Sequence, residues 1–217
     1  MLPNFEHKLA EIRNDVNSMI DIISESFKLT FEAIERGDKP SVTSAARLTH
    51  LSYIANSIDN NVVVALALHA PEATELRELI ALLKTTNSLM RVASSLKNYQ
   101  KRMIMVIESG LDITFIKSSI NELHKIILSS LNLLLSLLKN FNLDTYRDIL
   151  VEEEKSDEIT SIIQKEILSI VCKDSNLTLE YLKFLNSVKK LERAVDNIQN
   201  IAQLILYAKH GGKLELN

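Results

Sequence analysis

The sequence predicts an all-α fold: two tandem, pseudo-symmetric three-helix bundles made of six long antiparallel helices. Three observations predict it. Only four glycines and three prolines occur in 217 residues, so long stretches run without the punctuation that sheets of this size need. Apolar residues, chiefly Leu and Ile, make up 46% of the chain, enough for a sizeable core and too much for a disordered chain. The few breaks fall in the same order in both halves: long helix, turn, long helix, turn, long helix.

The first helix begins near Pro3 or Asn4 and ends at "RGDKPS" (36–41). The second ends at "HAPEA" (69–73), because Pro71 disfavours helix just before it and starts one just after it. Gly110 ends the third. The fourth holds the longest apolar segment (126–138), which contains Ser129, Ser130, Asn132 and Ser136. That segment is too short and too polar to span a bilayer, so it reads as a core helix and no membrane insertion is expected. "NFNLDT" (140–145) ends it, with Asp144 the expected N-cap of the fifth helix. "KDSNLT" (173–178) ends the fifth, and Gly211 and Gly212 end the sixth with a left-handed cap expected after His210. Helices joined by such short loops pack as antiparallel neighbours. "LMRVASSL" (89–96) holds the place in the third helix that "LERAVDNI" (191–198) holds in the sixth. One three-helix unit is thus written twice, dividing the chain into 1–109 and 110–217.

Composition excludes several classes of function. The net charge is −3 and no region is strongly basic, which argues against a nucleic-acid partner held by phosphate neutralisation. Lys97, Lys101 and Arg102 form the most basic spot, read as a solvated helix face. The single Cys172 follows Ile170 and Val171 and is expected to be a buried, inert thiol. The chain opens on a charged amphipathic stretch (5–13) rather than a signal peptide, so a cytoplasmic location is expected.

The chemistry concentrates in the last two helices. The sixth carries an apolar stripe, Leu191, Val195, Ile198, Ala202 and Ile205, at steps of three and four. Beside it stand Glu192 and Asp196, one turn apart, where like charges repel. The fifth helix repeats the spacing with Glu153 and Asp157 in "VEEEKSDE" (151–158). Both pairs fall at the edge of their stripe, offset in the same rotational sense. An antiparallel hairpin turning between Asp174 and Ser175 sets Asp157 opposite Glu192 and Glu153 opposite Asp196. Four converging carboxylates cannot all stay ionised cheaply: some take up protons, or a cation neutralises them. Oxygen ligands without imidazole or thiolate suit iron, manganese, magnesium or calcium. Alternatively, both pairs point to water with Lys155, Lys189 and Lys190 as screens.

Signs of an enzyme are missing. Di-metal oxidases in helical bundles use E-x-x-H pairs, and His124 lies two residues after Glu122, the wrong spacing for one helix face. His7, His50, His69 and His210 are scattered and read as surface or packing residues. The sequence has neither a phosphate-binding glycine loop nor a nucleophile motif.

Taken together, these segments resemble the PhoU family, bacterial regulators of phosphate uptake and phosphate signalling. The family's E-R-I-G-D core is similar to Glu192-Arg193-Ala194-Val195-Asp196, followed by Asn197. Its acidic segment on the preceding helix resembles 152–158, and its P-x-A-x-D-L-R entry resembles Pro71-Glu72-Ala73-Thr74-Glu75-Leu76-Arg77 with glutamate for aspartate. The resemblance covers nearly the whole chain. It implies two three-helix bundles, each with E/D-x-x-x-D motifs on two helices that hold iron, zinc, manganese, magnesium or another divalent or trivalent metal. Carried over, the metal positions are Glu153, Asp157, Glu192 and Asp196. In the first repeat the core becomes Met90-Arg91-Val92-Ala93-Ser94 and the opposing motif falls on Ser44 and Leu48. Those side chains cannot neutralise a hard cation, so metal is expected in the second repeat only. The family's glycine before the last aspartate is Val195, whose branched side chain narrows the room for a neighbouring helix. The resemblance further implies an adaptor without chemical turnover, contacting the ATPase of a phosphate ABC transporter and a sensor histidine kinase, and a homodimer. The alternative is a metal-free helical scaffold serving another transporter.

Overall fold

The computed structural model describes the backbone of residues 3–40, 42–172 and 177–211, and the side chains of 5–40, 47–172 and 177–211. Six long helices account for nearly all of it: α1 (Pro3–Arg36), α2 (Val42–His69), α3 (Ala73–Ser109), α4 (Lys117–Lys139), α5 (Leu143–Val171) and α6 (Thr178–His210). A short 3-10 turn, Thr114–Ile116, leads into α4, and the described residues include no strand.

Local chemistry accounts for the helix ends. After Pro71, Glu72 and Glu75 form a reciprocal capping box at the start of α3, with the Glu75 carboxylate accepting from the Glu72 amide at 3.0 Å. Gly110 closes α3 in the left-handed conformation, φ 65° and ψ 25°. At α5 the expectation is corrected: Asn142, not Asp144, is the N-cap, and its side-chain oxygen accepts from the Asp144 amide at 2.7 Å. Asp144 lies in the first turn instead, where its charge favours the helix dipole. Gly211 after α6 has φ 69° but ψ −162°, so its cap is a glycine-specific turn rather than the left-handed helical one. The expected turn at 173–176 and Gly212 lie outside the described residues, as does the Ser44 side chain.

α1 packs on α2 and α4 on α5, while α3 and α6 share the most extensive contact in the molecule. These two helices run antiparallel. At one end Gly211 meets the Arg77 guanidinium, whose Cζ would stand 3.7 Å from an added Cβ. At the other, residues from 98–105 of α3 and 183–190 of α6 line one cleft. Ala93, 2% exposed, and Val195, fully buried, therefore sit near the middle of the pair, within a turn of each other. The sequence echo that aligns Leu89 with Leu191 aligns Ala93 with Val195 as well. The helix crossing thus coincides with the pseudo-two-fold axis relating the repeats.

The core is continuous across the repeats and takes side chains from all six helices. The expected α6 stripe is buried throughout, and burial extends to Ala194, Ile201, Leu204 and Ala208, because α6 is packed by α3, α4 and α5 at once. α4 buries Ile126, Ile127, Leu131, Leu134 and Leu137, as a core helix should. His124 is also buried; its ring stacks on Phe31 at 3.6 Å and its Nε2 lies 2.8 Å from the Tyr99 hydroxyl. On α2, Leu48, Leu51, Ile58 and Val62 face inward, and the exposed positions mix polar residues such as His50, Asn56 and Asp59 with Tyr53, Val63 and Leu68. Cys172 contradicts its expected burial and is exposed. It follows the last turn of α5, off the stripe of Ile149, Ser156, Thr160, Ile163 and Ile167. Among the described residues, no helix is long and apolar enough to cross a membrane.

Candidate metal centre

On α5 the buried positions Ile149, Ser156 and Thr160 share a face with Glu153 by their spacing of three and four. Glu153 is consequently half-buried, with Asp157 one turn on and exposed. On α6 the neighbours of Asp196 are the fully buried Val195 and, two residues on, Ile198, which hold its carboxylate at the edge of the core. The α5–α6 hairpin brings these edges together. One carboxylate oxygen each from Glu153, Asp157 and Asp196 lie within 4.8 Å of one another.

Glu192 stands just outside that tight set. Its charge still interacts with those of Asp157 and Asp196. Three of the four acids expected from the sequence converge, and Glu192 stands at their rim.

The electrostatics match this crowding. Burial, followed by the charges of Asp157, Asp196 and Glu154, raises the Glu153 carboxyl above the ordinary range. Burial and then Asp157 and Asp196 raise Glu192, with Lys189 and Arg193 pulling back. Burial and then Asp157 raise Asp196. Among the described residues, no lysine or arginine forms an ion pair with the three converging carboxylates, although the Arg193 charge acts on Asp196. Lys155 is engaged by Glu152 at 3.1 Å, and among the described residues Gln199 gives Glu153 a neutral hydrogen bond at 3.3 Å. Gln199 is a contact the sequence reading passed over, although it lies one turn beyond Asp196 on the same edge of α6.

The residues present fit a hard cation. Oxygen ligands stand about 2.0–2.6 Å from such an ion, so oxygens within 4.8 Å of one another close around one centre by small side-chain rotations. The donor set is all carboxylate, which excludes the soft, thiolate-seeking metals and favours iron, manganese, magnesium or calcium.

The matching positions of the first repeat carry no acid. Leu48 is fully buried in the core and Met90 is packed against it. Ser94 is exposed, and its backbone carbonyl accepts from the Asn98 amide at 2.8 Å.

A family model described as the PhoU domain matches the chain twice, at residues 16–103 and 120–205. The chain is 26% identical over 212 residues to a phosphate-specific transport system accessory protein PhoU homolog of Caulobacter vibrioides, covering 97% of this chain and 92% of that protein. It is 23% identical over 220 residues to PhoU homolog 1 of Thermotoga maritima, covering 98% and 91%. Among solved structures, PhoU from Pseudomonas aeruginosa superposes with a TM-score of 0.86 at 19% identity, over 96% of this chain and all of that one. The phosphate transport system regulatory protein PhoU from Streptococcus pneumoniae superposes with 0.75 at 19% identity, over 96% and 98%. The helical arrangement is therefore the one these proteins share, and with both halves matched by the family model the chain belongs to the PhoU family, a family of accessory and regulatory proteins rather than enzymes.

Proposed function

We propose that this protein is a cytoplasmic regulator of phosphate uptake and phosphate-starvation signalling, a metal-binding adaptor between the ATPase of a phosphate transporter and a sensor histidine kinase. Family membership supports the regulatory role, since the relatives are described as accessory proteins of phosphate-specific transport. Each half of the chain, 1–109 and 110–217, is taken as one repeat. The C-terminal end of α2 supports an adaptor role, because exposed Val63, Val64, Leu66 and Leu68 give a partner or a second copy an apolar surface to cover.

The observation that carries the metal assignment is the convergence of Glu153, Asp157 and Asp196, which among the described residues form no ion pair with a cationic side chain. Glu192 completes the ligand set from the rim. The ion pins α5 to α6 and leaves the first bundle without metal. Elemental analysis of protein purified without chelator tests this. The expected result is bound metal that Asp196→Ala removes, together with a lower melting temperature. Unchanged metal content and unchanged melting in that variant would overturn the assignment. The alternative, a metal-free scaffold serving another transporter, draws on the lack of acids at the matching positions Ser44, Leu48, Met90 and Ser94 of the first repeat. It predicts no stoichiometric metal in the native protein. For the adaptor role, co-purification with the transporter ATPase and the kinase is the corresponding test, and failure with both would remove it.

A further inference from the structure

The structure assigns a second binding site: we propose that the cleft between α3 and α6, away from the carboxylates, binds a short chain of phosphate groups. The basic spot of α3 does not stand alone. Lys101 and Arg102 share a cleft of about 310 Å³ with Lys183 and Lys190 of α6. These four cations come from different repeats and meet only because the two helices run antiparallel. They gather on a chain whose net charge is −3, so the clustering runs against the overall balance.

Among the described residues, no carboxylate lines the cleft. Among the described residues, Lys183 pairs with Glu180 at 3.0 Å, and Arg102 reaches the Met105 sulfur at 3.5 Å. Lys101 and Lys190 make no ion pair with any described residue. Arg102, Lys183 and Lys190 are half-buried. Like charges gathered on partly dry walls repel one another and focus the field into the cleft. An anion relieves that repulsion through charge-assisted hydrogen bonds. The amide of Asn186 adds a neutral donor beside Lys190 and Lys183.

The shape of the site selects the kind of anion. Lys183 and Lys190 are two turns apart, about 10 Å along the α6 axis, with Lys101 and Arg102 at heights between them. A single phosphate leaves part of that line of four cations without an anion. Two or three phosphates in a row follow the line of cations, whether as a free oligophosphate or as the tail of a nucleotide. The site makes no use of the acids on α5, so its existence does not depend on the metal assignment.

Isothermal titration of the full chain in chelator, with tripolyphosphate, ATP and orthophosphate, tests the proposal. Tripolyphosphate is expected to bind one to one and at least tenfold more tightly than orthophosphate, weakening steeply as salt is raised. Equal affinity for ATP assigns recognition to the phosphates alone; tighter ATP binding adds a contact from the nucleoside, and both results support the site. Lys101→Gln and Lys190→Gln should each weaken binding about tenfold, while Lys101→Arg/Lys190→Arg retains it. Absence of tripolyphosphate binding at low salt, equal binding of orthophosphate, or full affinity in the Lys101→Gln/Lys190→Gln variant would overturn it.

Discussion

Asp196 sits where two costs meet. Its backbone belongs to a helix turn whose neighbours are fully buried, yet its carboxyl faces two other acids. Glu153, Glu192 and Asp196 all hold protons more tightly folded than they would unfolded. The metal-free protein therefore binds extra protons in its folded state, and it loses stability as pH rises through those raised values. Metal binding needs the deprotonated acids, so loading reverses the slope. Melting curves of stripped and loaded protein from about pH 4.5 to about pH 7.5 should diverge as pH rises, with the loaded form ahead. His124 contributes a change of opposite sign: burial pushes its pKa down to about 3, so the stability it confers is lost as pH falls below its unfolded value. It acts equally on stripped and loaded protein and cancels in their difference. Asp196→Asn should make stripped protein more stable near neutrality and erase the gain from metal. In the core, Tyr99→Phe leaves the His124 nitrogen without its partner at 2.8 Å and should cost about 1–3 kcal/mol in chemical denaturation. The acid pairs were legible because a helix repeats its faces every three to four residues. The fate of Glu192 was not, since which of four acids is left at the rim depends on rotamers that no spacing encodes.

At the level of the helices, punctuation decided most of what could be read. Pro71 and Gly110 stand where backbone geometry leaves few choices, and both mark the expected ends. Nothing lies within 4 Å of a Cβ added at Gly110, whose φ is +65°. Gly110→Ala therefore isolates the left-handed backbone cost and should destabilise by about 1–2 kcal/mol with the fold unchanged, as urea unfolding would report. The misreadings at this scale have local causes. Asn142 and Asp144 are both good caps, and only the side-chain oxygen 2.7 Å from the Asp144 amide distinguishes them. Cys172 follows two apolar residues, but three consecutive positions on a helix span too wide an arc to share one buried face.

Across the whole molecule, what the sequence concealed was the pairing of α3 with α6. Both are buried on more than one side, so their apolar residues no longer mark a single direction. The basic residues of α3 read alone as a solvated face for the same reason, because Lys183 and Lys190 arrive from a helix some eighty positions away in the chain. The faint echo between 89–96 and 191–198 was legible, and the structure gives it a place: its centre is the helix crossing. Ala93 is 2% exposed there and Val195 fully buried, so Ala93→Leu forces extra volume between two packed backbones. It should cost about 1–3 kcal/mol, measurable as a fall in melting temperature greater than that for the same change at an exposed α3 position.

That crossing also bears on how such a chain could arise. An axis through Ala93 and Val195 relates like surface to like surface, the geometry by which two identical subunits associate. A gene for one repeat would encode a protein whose third helix could shield its oily side only by self-association. Joining two such genes end to end makes that association permanent, and frees each copy to lose whatever the other retains.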